Sequence, residues 1–159
     1  MQTIYFERKT RGEQKNKKGR IIQNVRNYFD FYVSGQSVSE LLNSNNLDLI
    51  TPFGWGEKNY EQEIIKEFIG EINPHIPSGR LMIYVCPECG DIGCGAISAD
   101  LEITKDSVIW KNFGYENNDP DIDFDPYKSI QPIEFEKLDY LEKFRNLLHE
   151  TNNYAQQTL

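Results

Sequence analysis

Three cysteines stand close together near the middle of the chain, two in the turn Cys86-Pro87-Glu88-Cys89-Gly90 and the third at Cys94. Cys86 and Cys89 have the spacing at which two thiolates on one tight turn bind the same metal ion, and Gly90 lets backbone amides point at sulfur. Cys94 offers a third ligand from the start of the next strand. No second two-cysteine turn exists to complete a tetrahedral site, so a fourth ligand has to come from Asp91, His75, His149, a water molecule or another chain. Three readings stay open: structural zinc, three small thiols packing a corner with no cofactor, and a redox pair, since C-x-x-C can lower a thiol pKa. Redox motifs usually open a helix, which Gly90, Asp91 and Gly93 do not favour. The turn therefore reads as scaffold before catalyst.

A second cluster is acidic. Asp119, Asp121, Asp123 and Asp125 alternate with Pro120, Ile122 and Phe124. The alternation imitates the first part of a calcium loop, but Phe124 stands where that loop needs Gly and Ile130 where it needs Glu. One expectation is a solvated loop. The sharper one is a partner-binding surface in which these carboxylates and Glu116 meet a basic groove, with Ile122, Phe124 and Tyr127 as apolar anchors.

Catalytic signatures are sparse. His75 lies between prolines and His149 late in a helix, neither with a nucleophile nearby in sequence. No nucleophile elbow, phosphate-binding loop or dinucleotide fingerprint appears. The expectation is a protein that is not an enzyme.

The elements that must position these residues follow from size and pattern. At 159 residues the chain has the length of one domain, enough to bury about two-thirds of the surface its unfolded form exposes. Nine Phe, nine Tyr and two Trp supply the core. Net charge is −8, unevenly spread: residues 1–20 carry seven basic and two acidic side chains, whereas residues 100–159 carry six and thirteen. An acidic body argues against nucleic acid as the ligand and suits a basic protein partner. No apolar run is long enough to span a membrane, the first residues lack a signal-peptide pattern, and three cysteines make no secreted disulfide framework. A cytoplasmic protein is expected.

Along the chain, Ile4 to Phe6 suggests a short strand, residues 9–20 a basic exposed loop, and Ile21 to Val33 one long half-buried strand with Asp30 and Tyr32 on its polar side. Ser37 and Glu40 have capping-box spacing ahead of Leu41 and Leu42. A helix is expected from about Tyr60 to Ile69, with Glu61, Glu63, Lys66 and Glu67 on the wet side. Leu81 to Val85 reads as a central strand, and Gly95 to Phe113 as a hairpin about Lys105-Asp106. Residues 117–132 form an acidic loop and Ile133 to Phe135 a last strand. An amphipathic helix follows to about Glu150 with Leu138, Leu141, Phe144, Leu147 and Leu148 inward, and the tail past Asn152 frays. Together these predict a single α+β domain spanning residues 1–159, with a mainly antiparallel sheet and two or three helices.

Three blocks carry a resemblance: Phe31 through Leu42, Cys86 through Ala96, and Trp110 through Asn117. They resemble an uncharacterised family of small cytosolic bacterial proteins with a Cys-Pro-Glu-Cys-Gly-Asp-Leu-Gly-Cys-Gly-Ala core and a Trp-x-x-Phe-Gly-Tyr-Glu-Asn segment. This chain departs at Val38 and Ile92, where the family has Leu, and in a longer basic amino-terminal loop. The resemblance implies that the three cysteines act together; it implies no established activity. Size, acidity and the lack of a catalytic constellation also look like an immunity protein, an inhibitor of a basic antibacterial toxin domain such as a nuclease.

Overall fold

The computed structural model describes the backbone of residues 1–157 and side chains as far as residue 150. Two antiparallel sheets and a small hairpin hold the nine strands of the described residues. The first sheet orders β1 (Ile4–Arg11), β4 (Arg26–Val33) and β5 (Gln36–Ser37) as β1-β4-β5. The second orders β6 (Leu81–Val85), β7 (Ala96–Ile103), β8 (Ser107–Glu116) and β9 (Ile133–Glu136) in sequence. Between β1 and β4, β2 (Gln14–Lys15) and β3 (Ile21–Gln23) make an exposed arm. The expected basic loop is thus a hairpin. Its first residues belong to β1, and the long strand expected from Ile21 breaks at Asn24-Val25.

Backbone bridges sew the sheets together. The Gln2 amide donates to the Glu134 carbonyl and the Glu136 amide to the Gln2 carbonyl, each at 2.8 Å. Ile50 pairs with Val85 on the outer side of β6. That pairing explains an overturned expectation: β6 is buried at every residue, yet it is the first strand of its sheet, not a central one. A continuous apolar run registers burial on both faces, which a covered edge also provides.

Among the described residues, three α-helices complete the α+β domain. Ser37 caps α1 (Val38–Leu42), its Oγ accepting from the Glu40 amide at 3.2 Å, and Asn43 closes it in a left-handed conformation. Helix α2 (Lys58–Phe68) turns Ile64, Ile65 and Phe68 inward. Helix α3 (Lys137–Gln157) outlasts its expected end, and its backbone stays helical where fraying was expected; residues 158–159 lie outside the described part. Its inner stripe is Tyr140, Phe144 and Leu147, at i, i+4 and i+7. Leu138 falls outside that stripe and is 76% exposed, so its predicted core position is wrong.

An aromatic cluster joins the layers. Phe31 from β4, Phe53, Phe68, Trp110, Phe135, Tyr140 and Phe144 are each buried, with ring centroids 4.6–6.3 Å apart. The Tyr140 hydroxyl accepts from Trp110 Nε1 at 3.0 Å and donates to the Phe68 carbonyl at 2.8 Å, so its polar end is satisfied. Among the described residues, no helix is long and apolar enough to cross a membrane.

Candidate metal centre and the acidic loop

Cys86 leaves β6 directly, and the next eight residues bring two more sulfurs back to it. The Gly90 amide donates to the Cys86 carbonyl at 2.9 Å, closing a turn that Gly90 makes at φ 68°. Asp91 then caps a single 3₁₀ turn, Ile92–Cys94, its side chain accepting from the Ile92 amide at 2.8 Å. Gly95 ends it at φ 98°, where a Cβ would run into the Tyr115 hydroxyl, so β7 can start only from a glycine. These two turns place Cys86, Cys89 and Cys94 Sγ within 4.8 Å of one another.

Neighbouring elements pin the corner. Arg26 Nε donates to the Pro87 carbonyl at 2.7 Å, and Arg11 and Arg26 each reach Glu88 at 3.3 Å. The Tyr60 hydroxyl donates to the Gly90 carbonyl at 3.0 Å. The Trp55 indole lies against Gly90, donates to the Thr51 carbonyl at 2.9 Å and carries the Arg26 guanidinium 5.2 Å from its ring centre. The amino-terminal sheet therefore grips the turn from outside, through residues more than sixty positions away in sequence.

The sulfurs share their protons unequally. Partial burial pushes the Cys89 thiol up, but hydrogen bonds from the Asp91 backbone and from Cys94 and Cys86 outweigh it and leave Cys89 below its ordinary value. Cys94, the donor to both neighbours, is pushed up to about 11. Metals bind the deprotonated form, so a lowered Cys89 thiol favours ligation.

The candidate fourth ligands resolve differently. His75 bridges two carboxylates, with Nδ1 2.8 Å from Glu67 and Nε2 3.0 Å from Asp91. Burial draws the imidazole pKa down, but these two partners outweigh burial and raise it. Asp91 is thus engaged by His75 and Ile92. His149 is exposed on α3. Among the described residues the metal-capable cluster contains the three sulfurs alone.

Sequence reasoning missed two supports. Glu61 and Glu67, expected on the wet side of α2, are 4% and 3% exposed. Glu67 is turned in toward His75. Glu61 accepts from the Gly54 amide at 2.6 Å and so fixes the Trp55 loop. Burial pushes the Glu61 carboxyl up to about 7 against the amides of Gly54 and Gly56. Asp30, expected on a polar face, is also buried; it accepts from the Tyr84 hydroxyl at 2.8 Å, and burial raises its pKa.

The predicted partner surface divides in two. Asp119, Asp121, Asp123 and Asp125 are exposed, Phe124 is 44% exposed and Ile122 is half-buried over Gly114. None of the four aspartates forms an ion pair among the described residues. Glu116 and Tyr127 face inward, at 5% and 6% exposure, and cannot meet a partner there. Glu116 Oε2 accepts from Ser98 Oγ and lies 3.3 Å from Arg80 Nε. Arg80 is itself buried and also holds Asp100 at 3.0 Å and the Asn112 carbonyl. Phe124 lies over the guanidinium, 5.2 Å from its centre, and Asp123 pairs with Tyr115 through two 2.9 Å backbone hydrogen bonds. The loop is lashed to β8 from below and acidic above.

These features define an α+β domain with a three-cysteine corner and an acidic, strutted loop. No protein-family model matches the chain, and neither a curated protein nor a solved structure is similar enough to count as a match.

Proposed function

We propose that the chain is a non-catalytic binding protein whose cysteine corner holds a structural zinc ion. Three sulfurs within 4.8 Å of one another, brought there by two tight turns, carry this reading. Soft thiolates at that separation suit zinc, and a metal there would tie the ends of β6 and β7 to the turn gripped by the other sheet. It also agrees with the joint action of the cysteines that the family resemblance implies. Protein purified without added metal is expected to carry one zinc per chain by elemental analysis, released by a mercurial reagent and lost in Cys89→Ser. At free zinc a thousandfold above its dissociation constant the ion stabilises the fold by about 4 kcal/mol. Absence of stoichiometric metal, with no rise in Tm on adding zinc, would overturn the proposal.

The partner in this reading is a basic protein, such as a toxin domain neutralised by an immunity-type inhibitor. Four exposed carboxylates without ion pairs among the described residues, on an anchored loop, favour it, because such a surface steers and orients a cationic partner without having to order itself first. The rival reading is thiol chemistry centred on Cys86, Cys89 and Cys94, favoured by the lowered Cys89 thiol. It predicts fast alkylation of Cys89 at neutral pH in protein as purified, whereas a zinc-held cysteine is protected.

A further inference from the structure

This chain gathers three sulfurs where a tetrahedral zinc ion would need a fourth ligand, and the surroundings of Cys89 bear on what suits that position. Cys89 forms part of the wall of a cleft of about 300 Å³, with Trp55, Tyr60, Glu57, Glu88 and Asp91 among the other walls. Both aromatic walls are fixed in place, Trp55 by the Thr51 carbonyl and Tyr60 by the Gly90 carbonyl. Walls held in place in this way bind a ligand with little ordering cost. Its rim is acidic: Glu57 caps α2, and Asp91 faces His75. Glu88 is already paired with Arg11 and Arg26.

Resting on the zinc reading, we propose that this cleft seats a histidine of a basic partner, whose imidazole completes a Cys3His zinc set between the two proteins. Charge selects the donor. Zinc with three thiolates carries one net negative charge; a further thiolate or carboxylate would raise it to two beside the exposed Glu57 carboxylate, in a chain of net charge −8. A neutral imidazole adds none. Its nitrogen lone pair displaces the water on the metal and no proton is released, whereas a thiol would have to give one up. Arginine or lysine beside that histidine would pair with the acidic rim, so one short basic segment satisfies both the metal and the field around it.

Cobalt substituted for zinc in the full chain tests this, because its visible spectrum reports both sulfur ligation and the fourth donor. Sulfur-to-cobalt charge transfer should appear first, and adding imidazole should then shift the ligand-field bands and saturate. An Arg-His-Arg peptide should bind at least tenfold more tightly than imidazole, and Arg-Ala-Arg should leave the bands unmoved. In chain fully loaded with cobalt, Trp55→Ala should weaken peptide binding about tenfold. If sulfur ligation appears but neither imidazole nor the histidine peptide shifts the bands, the seat is wrong while the metal reading stands. A shift with mercaptoethanol alone, or dimers forming on metal uptake with no added imidazole, would also overturn it by naming a different fourth ligand. Absence of any sulfur-to-cobalt band would sink the metal reading and this seat together.

Discussion

The cysteine corner and the acidic loop are both irregular segments that leave the same sheet, and each stands on a buried charge of a different kind. Beneath the acidic loop, the Arg80 guanidinium is paired with Glu116 and Asp100 and bonded to backbone oxygens. Beside the cysteine corner, the Glu61 carboxyl has backbone amides for partners and is held near neutrality by burial. The first support depends on both members of a buried ion pair, whereas the second is a carboxyl that burial pushes up to about 7. The first support should therefore fail by mutation and the second by pH.

Arg80 is the strongest test of the first half. Removing one member of a buried ion pair leaves the other charged and unsolvated, which costs about 3–5 kcal/mol. Arg80→Met should lose that much in urea denaturation, and Arg80→Met with Glu116→Gln should recover a substantial part. If the single variant costs under about 1 kcal/mol, the pair does not anchor the loop.

What the sequence made legible was local. The two-cysteine turn, the Ser37 cap, the Lys105-Asp106 hairpin and the acidity of residues 117–132 each depend on residues a few positions apart, and each stands where pattern reading puts it. Its misreadings share one cause. Glu61, Glu67, Asp30 and Glu116 were read as solvent-facing because charge usually is, and all four are buried. Their partners, the Gly54 amide, His75, Tyr84 and Arg80, lie 7, 8, 54 and 36 residues away, and no periodicity marks such pairs. The gathering of the three cysteines was thus visible in outline, whereas its grip by Arg11, Arg26, Trp55 and Tyr60 was not.

Glu61 tests the second half. Its pKa is raised from the usual carboxylate value of 4.5 to about 7, so the folded state binds the extra proton. Its favourable contribution is fully present below about pH 4.5 and is lost as pH climbs through about 7. The loss is at most about 3.5 kcal/mol, since each pKa unit is worth about 1.4 kcal/mol. Glu61→Gln mimics the protonated acid. Its Tm relative to the parent chain should therefore rise between pH 5 and pH 8, while other titrating groups such as His75 cancel in the difference. A flat difference across that range would show that the carboxyl titrates normally.

The smallest effect on stability is expected from the outer side of the acidic loop. Asp121, Asp123 and Asp125 are exposed and without ion pairs among the described residues, so reversing all three to lysine should move stability by no more than about 0.5 kcal/mol per site. The Asp123 backbone pairing with Tyr115 does not depend on its side chain, although Asp123 Oδ1 also accepts from the Asp125 amide at 3.1 Å, an exposed bond of modest worth. Binding should respond instead. Affinity for an arginine-rich peptide, measured at low salt, should fall at least tenfold in the triple variant, and the gap should narrow as salt screens it. Reversing Glu102 and Asp106, acidic residues outside the loop, should change it far less. If the two sets of reversals weaken binding equally, the loop is one patch of a generally acidic surface. In that case the carboxylates lashed to β8 through Arg80 have no special claim as the partner's seat.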